Sequence, residues 1–111
     1  MALQQLKEPF ERLNAAKSKE LYDSKSTVWI DVREPSEWNE GHIPGSTLVP
    51  LNILLLSPRK HLNGDSVVFY CAQGIRSAVA CEVAAAVGLT KIYNLEGGII
   101  DWVAKGYPVE K

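Results

Sequence analysis

Short apolar runs alternate along the chain with stretches whose apolar residues recur at helical spacing, a pattern that predicts βα units around a parallel sheet. Phe10 to Leu13 reads as a short edge strand, and Asn14 as the N-cap of a helix running to about Tyr22. Thr27 to Val32 is a buried strand, β-branched and aromatic up to Asp31. Glu34-Pro35 ends it, because the residue before proline is pushed out of helical geometry while proline suits a first helical turn. The helix from Pro35 to Glu40 stops at Gly41, and His42-Ile43-Pro44-Gly45 is a turn leading to a strand at Thr47 to Val49. One helix is then expected from Leu51 to Lys60, closed by Asn63-Gly64. Val67 to Tyr70 is apolar throughout, as a strand covered on both faces should be. Beyond the segment Cys71 to Arg76 come a helix at Ser77 to Val87, a strand at Lys91 to Leu95, a Gly97-Gly98 turn and a helix at Ile99 to Ala104.

These elements give an α/β domain with a central, mainly parallel sheet flanked by helices. With 111 residues, 46% of them hydrophobic, the chain supports one core, so residues 1–111 are read as a single domain with 1–9 a flexible N-terminal segment. Lys and Arg number 12 against 13 Asp and Glu, without a long basic run, which argues against nucleic acid as a partner. The longest apolar candidate, Leu48 to Leu56, is interrupted by Pro50 and Asn52 and falls short of the ~18 residues a bilayer span needs. The start of the chain fits neither a secretion signal nor a transit peptide, so the expectation is a cytoplasmic protein with no membrane partner. There Cys71 and Cys81 are expected to stay reduced, and with His42 and His61 they show no metal-ligand spacing.

The chemistry concentrates at Cys71, which follows a buried strand directly and precedes an alanine-rich helix. That is the carboxyl edge of a parallel sheet, where open α/β folds bind ligands. A loop bending there turns successive backbone N–H groups inward as an anion nest, and the next helix adds the positive end of its dipole. Both lower the pKa of a thiol, and the thiolate is its reactive form. Gly74 permits the tight path, and Arg76 supplies a fixed positive fork to hold an oxyanion or brace the loop. The same cradle suits the outer sulfur of a persulfide, which is also anionic at neutral pH.

Cys71-Ala72-Gln73-Gly74-Ile75-Arg76-Ser77 resembles the active-site loop of the rhodanese family: a Cys, four residues and an Arg. Asp31-Val32-Arg33 with Glu37 and Trp38, then Gly41-His42-Ile43-Pro44-Gly45-Ser46, is similar to that family's first signature segment. Leu95-Glu96-Gly97-Gly98 with Trp102 and Gly106-Tyr107-Pro108 is similar to its C-terminal one, so the resemblance covers about Leu13 to Val109. It implies the three-layer rhodanese fold and a sulfurtransferase moving sulfane sulfur from a donor such as thiosulfate to cyanide or a thiol through a persulfide on Cys71. It implies that Ala72, Gln73, Gly74, Ile75 and Arg76 line the pocket with their backbone amides, that Arg76 closes the loop, and that Asp31 and Arg33 brace the site. No metal or organic cofactor is implied. The partners expected are a small donor, a thiol or cyanide acceptor, and a possible protein donor or acceptor.

Other classes stay open: a carrier passing sulfur between proteins, and a Cys-dependent phosphatase or arsenate reductase. Phosphatases sharing the fold carry Cys-x5-Arg, a larger loop that fits phosphate, so the four-residue spacing here favours sulfur. Cys81, among Ala78, Ala80, Ala84 and Ala85, reads as tight helix packing. His42 reads as a structural hydrogen-bonding residue, Trp38 and Trp102 as helix anchors in the core or at its edge, and Leu54-Leu55-Leu56 as core packing.

Overall fold

The computed structural model describes residues 7–62 and 64–111. Residues 1–6 of the expected flexible segment, and Asn63 of the expected Asn-Gly stop, lie outside the described residues. In chain order the elements are β1 (Glu11–Leu13), α1 (Ala15–Ser24), β2 (Val28–Asp31), α2 (Pro35–Glu40), β3 (Thr47–Leu48), α3 (Leu51–Leu56), α4 (Pro58–His61), β4 (Ser66–Tyr70), α5 (Ile75–Ala86), β5 (Lys91–Leu95) and α6 (Gly98–Ala104). The five strands form one sheet in the order β1-β5-β4-β2-β3, parallel at every pairing. The sheet is therefore wholly parallel, and β4, carrying Cys71 at its end, is central.

Alternation along β4 divides the core. Val67, Phe69 and Cys71 face one side with Ala80, Cys81 and Ala84 of α5 and Leu54 of α3. Val68 and Tyr70 face the other with Trp29 of β2 and Ile99 and Trp102 of α6. Helices thus cover both faces, which satisfies strands that are apolar at successive positions. On the second face Trp102 stacks edge-on against Tyr22 at 5.3 Å and Tyr107 at 5.1 Å, and its indole Nε1 donates to the Pro108 carbonyl at 2.7 Å. That bond gives the buried N–H a partner and pins the C-terminal segment.

Most boundaries fall within two residues of those expected. Asn14 caps α1 through its side chain, accepting the Lys17 N–H at 2.8 Å. The single helix expected over Leu51 to Lys60 is instead two, α3 and α4, broken at Ser57 with φ −147°. Pro58 is the cause, since its ring excludes helical geometry from the residue before it. The break also corrects the reading of Leu54-Leu55-Leu56: Leu54 is buried, while Leu55 is 49% and Leu56 80% exposed. A short helix buries one face, and three successive leucines cannot share it.

Trp102→Ala should cost about 3–5 kcal/mol of stability in urea unfolding, the usual range for truncating a buried tryptophan. A loss below about 1 kcal/mol would mean that the aromatic cluster is not part of the cooperative core.

Candidate active site

The strand alternation that buries Phe69 turns Cys71 to the α5 face of the sheet, where the chain must bend to enter that helix. Gly74 makes the bend with φ +88°, and its N–H points back at Cys71 Sγ, 3.1 Å away. Two glycines hold this loop against its neighbour. A Cβ on Gly74 would collide with the Glu96 carbonyl, and one on Gly98, at φ +66°, with the Ala72 carbonyl. The β4–α5 and β5–α6 connections therefore interlock. N–H groups of Ile99 and Ile100 complete the lock by donating to the carbonyls of Cys71 and Ala72 at 2.9 and 3.3 Å. Gly97-Gly98 thus does more than turn the chain; it allows the second loop to approach the first.

The helix after the loop starts earlier than expected. α5 begins at Ile75, so Ile75 and Arg76 belong to its first turn, and the loop proper is Ala72 to Gly74. Of the amides along this bend, that of Gly74 bonds Cys71 Sγ directly, and those of Gln73 and Ser77 also act to lower its thiol pKa. Ile75 points outward and is 72% exposed. The physical reason for the early start is Gly74, whose left-handed conformation ends the loop at once and lets Ile75 enter the helix.

Only 1% of Cys71 is exposed. Burial pushes its thiol up, but the Ser77 hydroxyl, where its proton turns to the sulfur, and the amides of Ser77, Gln73 and Gly74 outweigh it and hold the thiol below its ordinary value. Cys81 shows the opposite balance on the same helix: fully buried, with a 3.6 Å contact to the Tyr93 carbonyl, it is pushed well up by desolvation. One thiol is bonded by a loop amide and the other is not, which accounts for their opposite shifts.

Sequence reading missed two residues at the site. Ser77 Oγ lies 3.4 Å from Cys71 Sγ and donates to Asn94 Oδ1 at 2.5 Å; Asn94 Nδ2 donates to the Gly74 carbonyl at 3.1 Å. Asn94 pairs in register with Phe69, which places it on the α5 face. The signal was present in the sequence, since Asn94 is the one amide in the strand Lys91 to Leu95 and a buried strand position tolerates it only with partners.

Arg76 makes a two-bond pair with Glu37 of α2, at 2.7 and 2.9 Å, and its charge also interacts with the Cys71 sulfur. Hydrogen bonding to Arg76, against partial burial and with help from the Glu34 N–H, holds the Glu37 carboxyl down at about 2. Arg33 and Asp31 bind each other in the interior, with bonds of 2.7 to 3.0 Å, and Arg33 extends to the Gly41 carbonyl at 2.7 Å. Each arginine thus joins separate segments: Arg76 ties α5 to α2, and Arg33 ties the end of β2 to the turn after α2. His42 is held by the Trp38 carbonyl at Nδ1, 3.0 Å away, and lies 3.5 Å from Glu110 at Nε2, with its ring stacked on Trp38. That is the structural role expected of it. Beside the loop lies an open cleft of about 420 Å³, whose lining includes Arg33, Glu37, Ile100, Val103 and Val109. Among the described residues no three His, Cys, Asp or Glu side chains gather as a metal site.

The sequence profile of the Rhodanese-like domain matches residues 14–105, which contain Asp31, Arg33, Glu37, Cys71, Gly74, Arg76, Ser77 and Asn94. The chain belongs to the rhodanese-like domain family. Sulfurtransferases are among its similar proteins. One from Allochromatium vinosum is 33% identical over 92 residues, covering 83% of this chain and 86% of that one. The thiosulfate sulfurtransferase GlpE of Pseudoalteromonas translucida is 30% identical over 96 residues, covering 86% and 90%. Among solved structures, a rhodanese-related protein from Thermoplasma volcanium superposes with a TM-score of 0.81 at 36% identity, over 91% of this chain and 98% of that one. This is accordingly a rhodanese-like domain of a sulfurtransferase family, with the five-stranded parallel sheet and flanking helices described above.

Because Glu37 is depressed, its pairing stabilises the rhodanese-like domain above the ordinary carboxylate range, and the contribution is lost as pH falls from there through about 2. Glu37→Gln should therefore lower stability by about 1 kcal/mol at neutral pH, after allowance for solvent screening of this half-exposed pair. In acid titration the gap to the parent should close as pH approaches 2. A gap that persists unchanged there would assign the loss to something other than the ion pair.

Proposed function

We propose that this protein moves a sulfane sulfur from a donor such as thiosulfate to a thiophilic acceptor, cyanide or a thiol, through a persulfide on Cys71. The observation that carries this reading is the Gly74 N–H aimed at Cys71 Sγ from 3.1 Å, in a bend whose Gln73 and Ser77 amides also favour the ionised sulfur. In the first step the Cys71 thiolate attacks the outer sulfur of thiosulfate. An Sγ–S bond forms, the donor's S–S bond breaks, and sulfite leaves with its electron pair. In the second step cyanide or a thiolate attacks the outer persulfide sulfur, and Cys71 returns as thiolate. No electrons are gained or lost overall, so the cycle calls for no redox partner.

Arg76 stands at the start of α5 with its fork bound to Glu37 while its charge reaches the sulfur, a placement suited to holding the loop shut and attracting an anionic donor. Asp31 and Arg33 serve as braces. Cys71 is so enclosed that a slim terminal atom, such as a sulfane sulfur or cyanide carbon, suits it better than a bulky ester. The four residues between Cys71 and Arg76 point the same way, against phosphate. A protein-to-protein sulfur carrier is the second reading, favoured by the cleft beside the loop with its exposed Ile100, Val103 and Val109. A reducing, cytoplasmic setting would suit either.

Intact mass after incubation with thiosulfate tests the reading. We expect a gain of one sulfur atom that cyanide removes and that Cys71→Ser abolishes; no gain, together with phosphate-ester hydrolysis, would replace sulfur transfer with phosphatase chemistry. Slow turnover of thiosulfate and cyanide alongside ready persulfidation by a partner desulfurase would select the carrier. Arg76→Ala should lower transfer much more than Arg33→Lys, which leaves a cation in place. Equal losses would mean that the roles given to the two arginines are wrong.

A further inference from the structure

Ser77 and Asn94 are both fully buried, and their bonds fix where one proton sits. The Gly74 carbonyl only accepts, so the Asn94 atom 3.1 Å from it is the amide Nδ2. That orientation turns Oδ1 towards Ser77 Oγ, 2.5 Å away. Oδ1 also only accepts, so the single hydroxyl proton of Ser77 is committed to Asn94. Towards Cys71 Sγ, at 3.4 Å, Ser77 then presents a lone pair. A neutral thiol suits that lone pair, because S–H donates to it. A thiolate does not, and it gains the hydroxyl as a donor only if Ser77 turns its proton away from Asn94, leaving Oδ1 buried without a partner.

We propose that Asn94 is a positioning residue that competes with the Cys71 thiolate for the Ser77 proton, keeping the resting thiol less ionised than its amide cradle alone would make it. In a persulfide the charge sits on the outer sulfur and Sγ has no proton, so the Ser77–Asn94 bond stays whole. The network thus works against the bare thiolate and not against the loaded form. This last consequence rests on the sulfur-transfer reading; the proton competition does not.

Other charges near the sulfur are common to every variant below. Arg76 of α5 interacts with it, paired with Glu37 of α2; Asp31 and Arg33 neutralise each other at the end of β2; Cys81 of α5 is pushed towards its neutral form by burial. Glu96 touches the loop through its backbone, and Asp101 of α6 lies against Gly97.

The test is the pH profile of Cys71 alkylation by iodoacetamide, read by intact mass on the full chain with Cys81→Ala as background and no sulfur donor present. Asn94→Leu keeps the branched heavy-atom skeleton and frees the Ser77 proton, so the midpoint should fall by about one pH unit, giving roughly tenfold faster alkylation below it. With Ser77→Ala already present, Asn94→Leu should shift nothing. Equal shifts in both backgrounds, no shift in either, or a rise with Ser77 intact would overturn the proposal. Should Asn94→Leu fail to fold, Asn94→Asp serves: a carboxylate grips the same proton harder, so the midpoint should rise, and rise more with Ser77 than with Ala at that position. An equal rise would be mere charge and would equally overturn it. Persulfide loading is measured separately, so a failed competition leaves sulfur transfer standing, and a chain that shows the competition but takes up no sulfur refutes only the latter.

Discussion

A thiolate that is 99% enclosed has lost its water, and it persists only where fixed dipoles replace that water. At Cys71 the replacement is main chain: the Gly74 amide bonded to the sulfur, with the Gln73 and Ser77 amides lowering its thiol pKa, at the positive end of a 12-residue helix. Backbone dipoles held by the fold need no reorganisation when charge appears, which makes such an arrangement more effective than mobile side chains. Everything else at the site serves to keep that bend in place. The two connections interlock through Gly74 and Gly98, and Ile99 and Ile100 bind the carbonyls on the loop's outer side. The loop is therefore closed over by backbone on its far side while its N–H groups face the sulfur.

The sheet makes this possible through register. β4 lies between β5 and β2, so Cys71 emerges at the centre of the carboxyl edge with neighbours on both sides. From β5 comes Asn94, which reaches the loop from below; from β2 come Asp31 and Arg33, which hold the chain entering α2. Glu37 on α2 then receives Arg76 across the mouth. Three segments remote in sequence thus meet at one bend. Arg33, Glu37 and Asn94 reach the sulfur only through other residues.

Much of the fold was legible because strong local signals agreed with the tertiary outcome. The β-branched and aromatic run at Val28–Asp31, the Glu34-Pro35 junction and the all-apolar β4 each have one physical reading, and the structure follows it. Two features were misjudged for lack of local weight. Helical periodicity runs through Pro58 although its effect on Ser57 is itself a local rule, and α5 starts two residues earlier than its apolar pattern suggests because Gly74 caps it. At the site, Cys71 with Gly74 and Arg76 stands out in the sequence from its place after an apolar strand together with the resemblance of the flanking segments. Asn94 stands out only as a polar residue in a buried strand, and Ser77 not at all, because their partners appear only when register brings them within bonding distance. The pairing of Arg76 was equally hidden, since the sequence marks Glu37 only as part of the first signature segment and not as the partner of Arg76.

The account stands or falls on whether the Gly74 amide serves an ionised sulfur. Its proton resonance, followed by NMR in labelled protein across the thiol's titration range, reports that directly. The account predicts a downfield movement with a midpoint below the ordinary thiol value, shared by Gln73 and Ser77 and absent in Cys71→Ser. A Gly74 resonance that ignores pH, or that moves equally in Cys71→Ser, would contradict it.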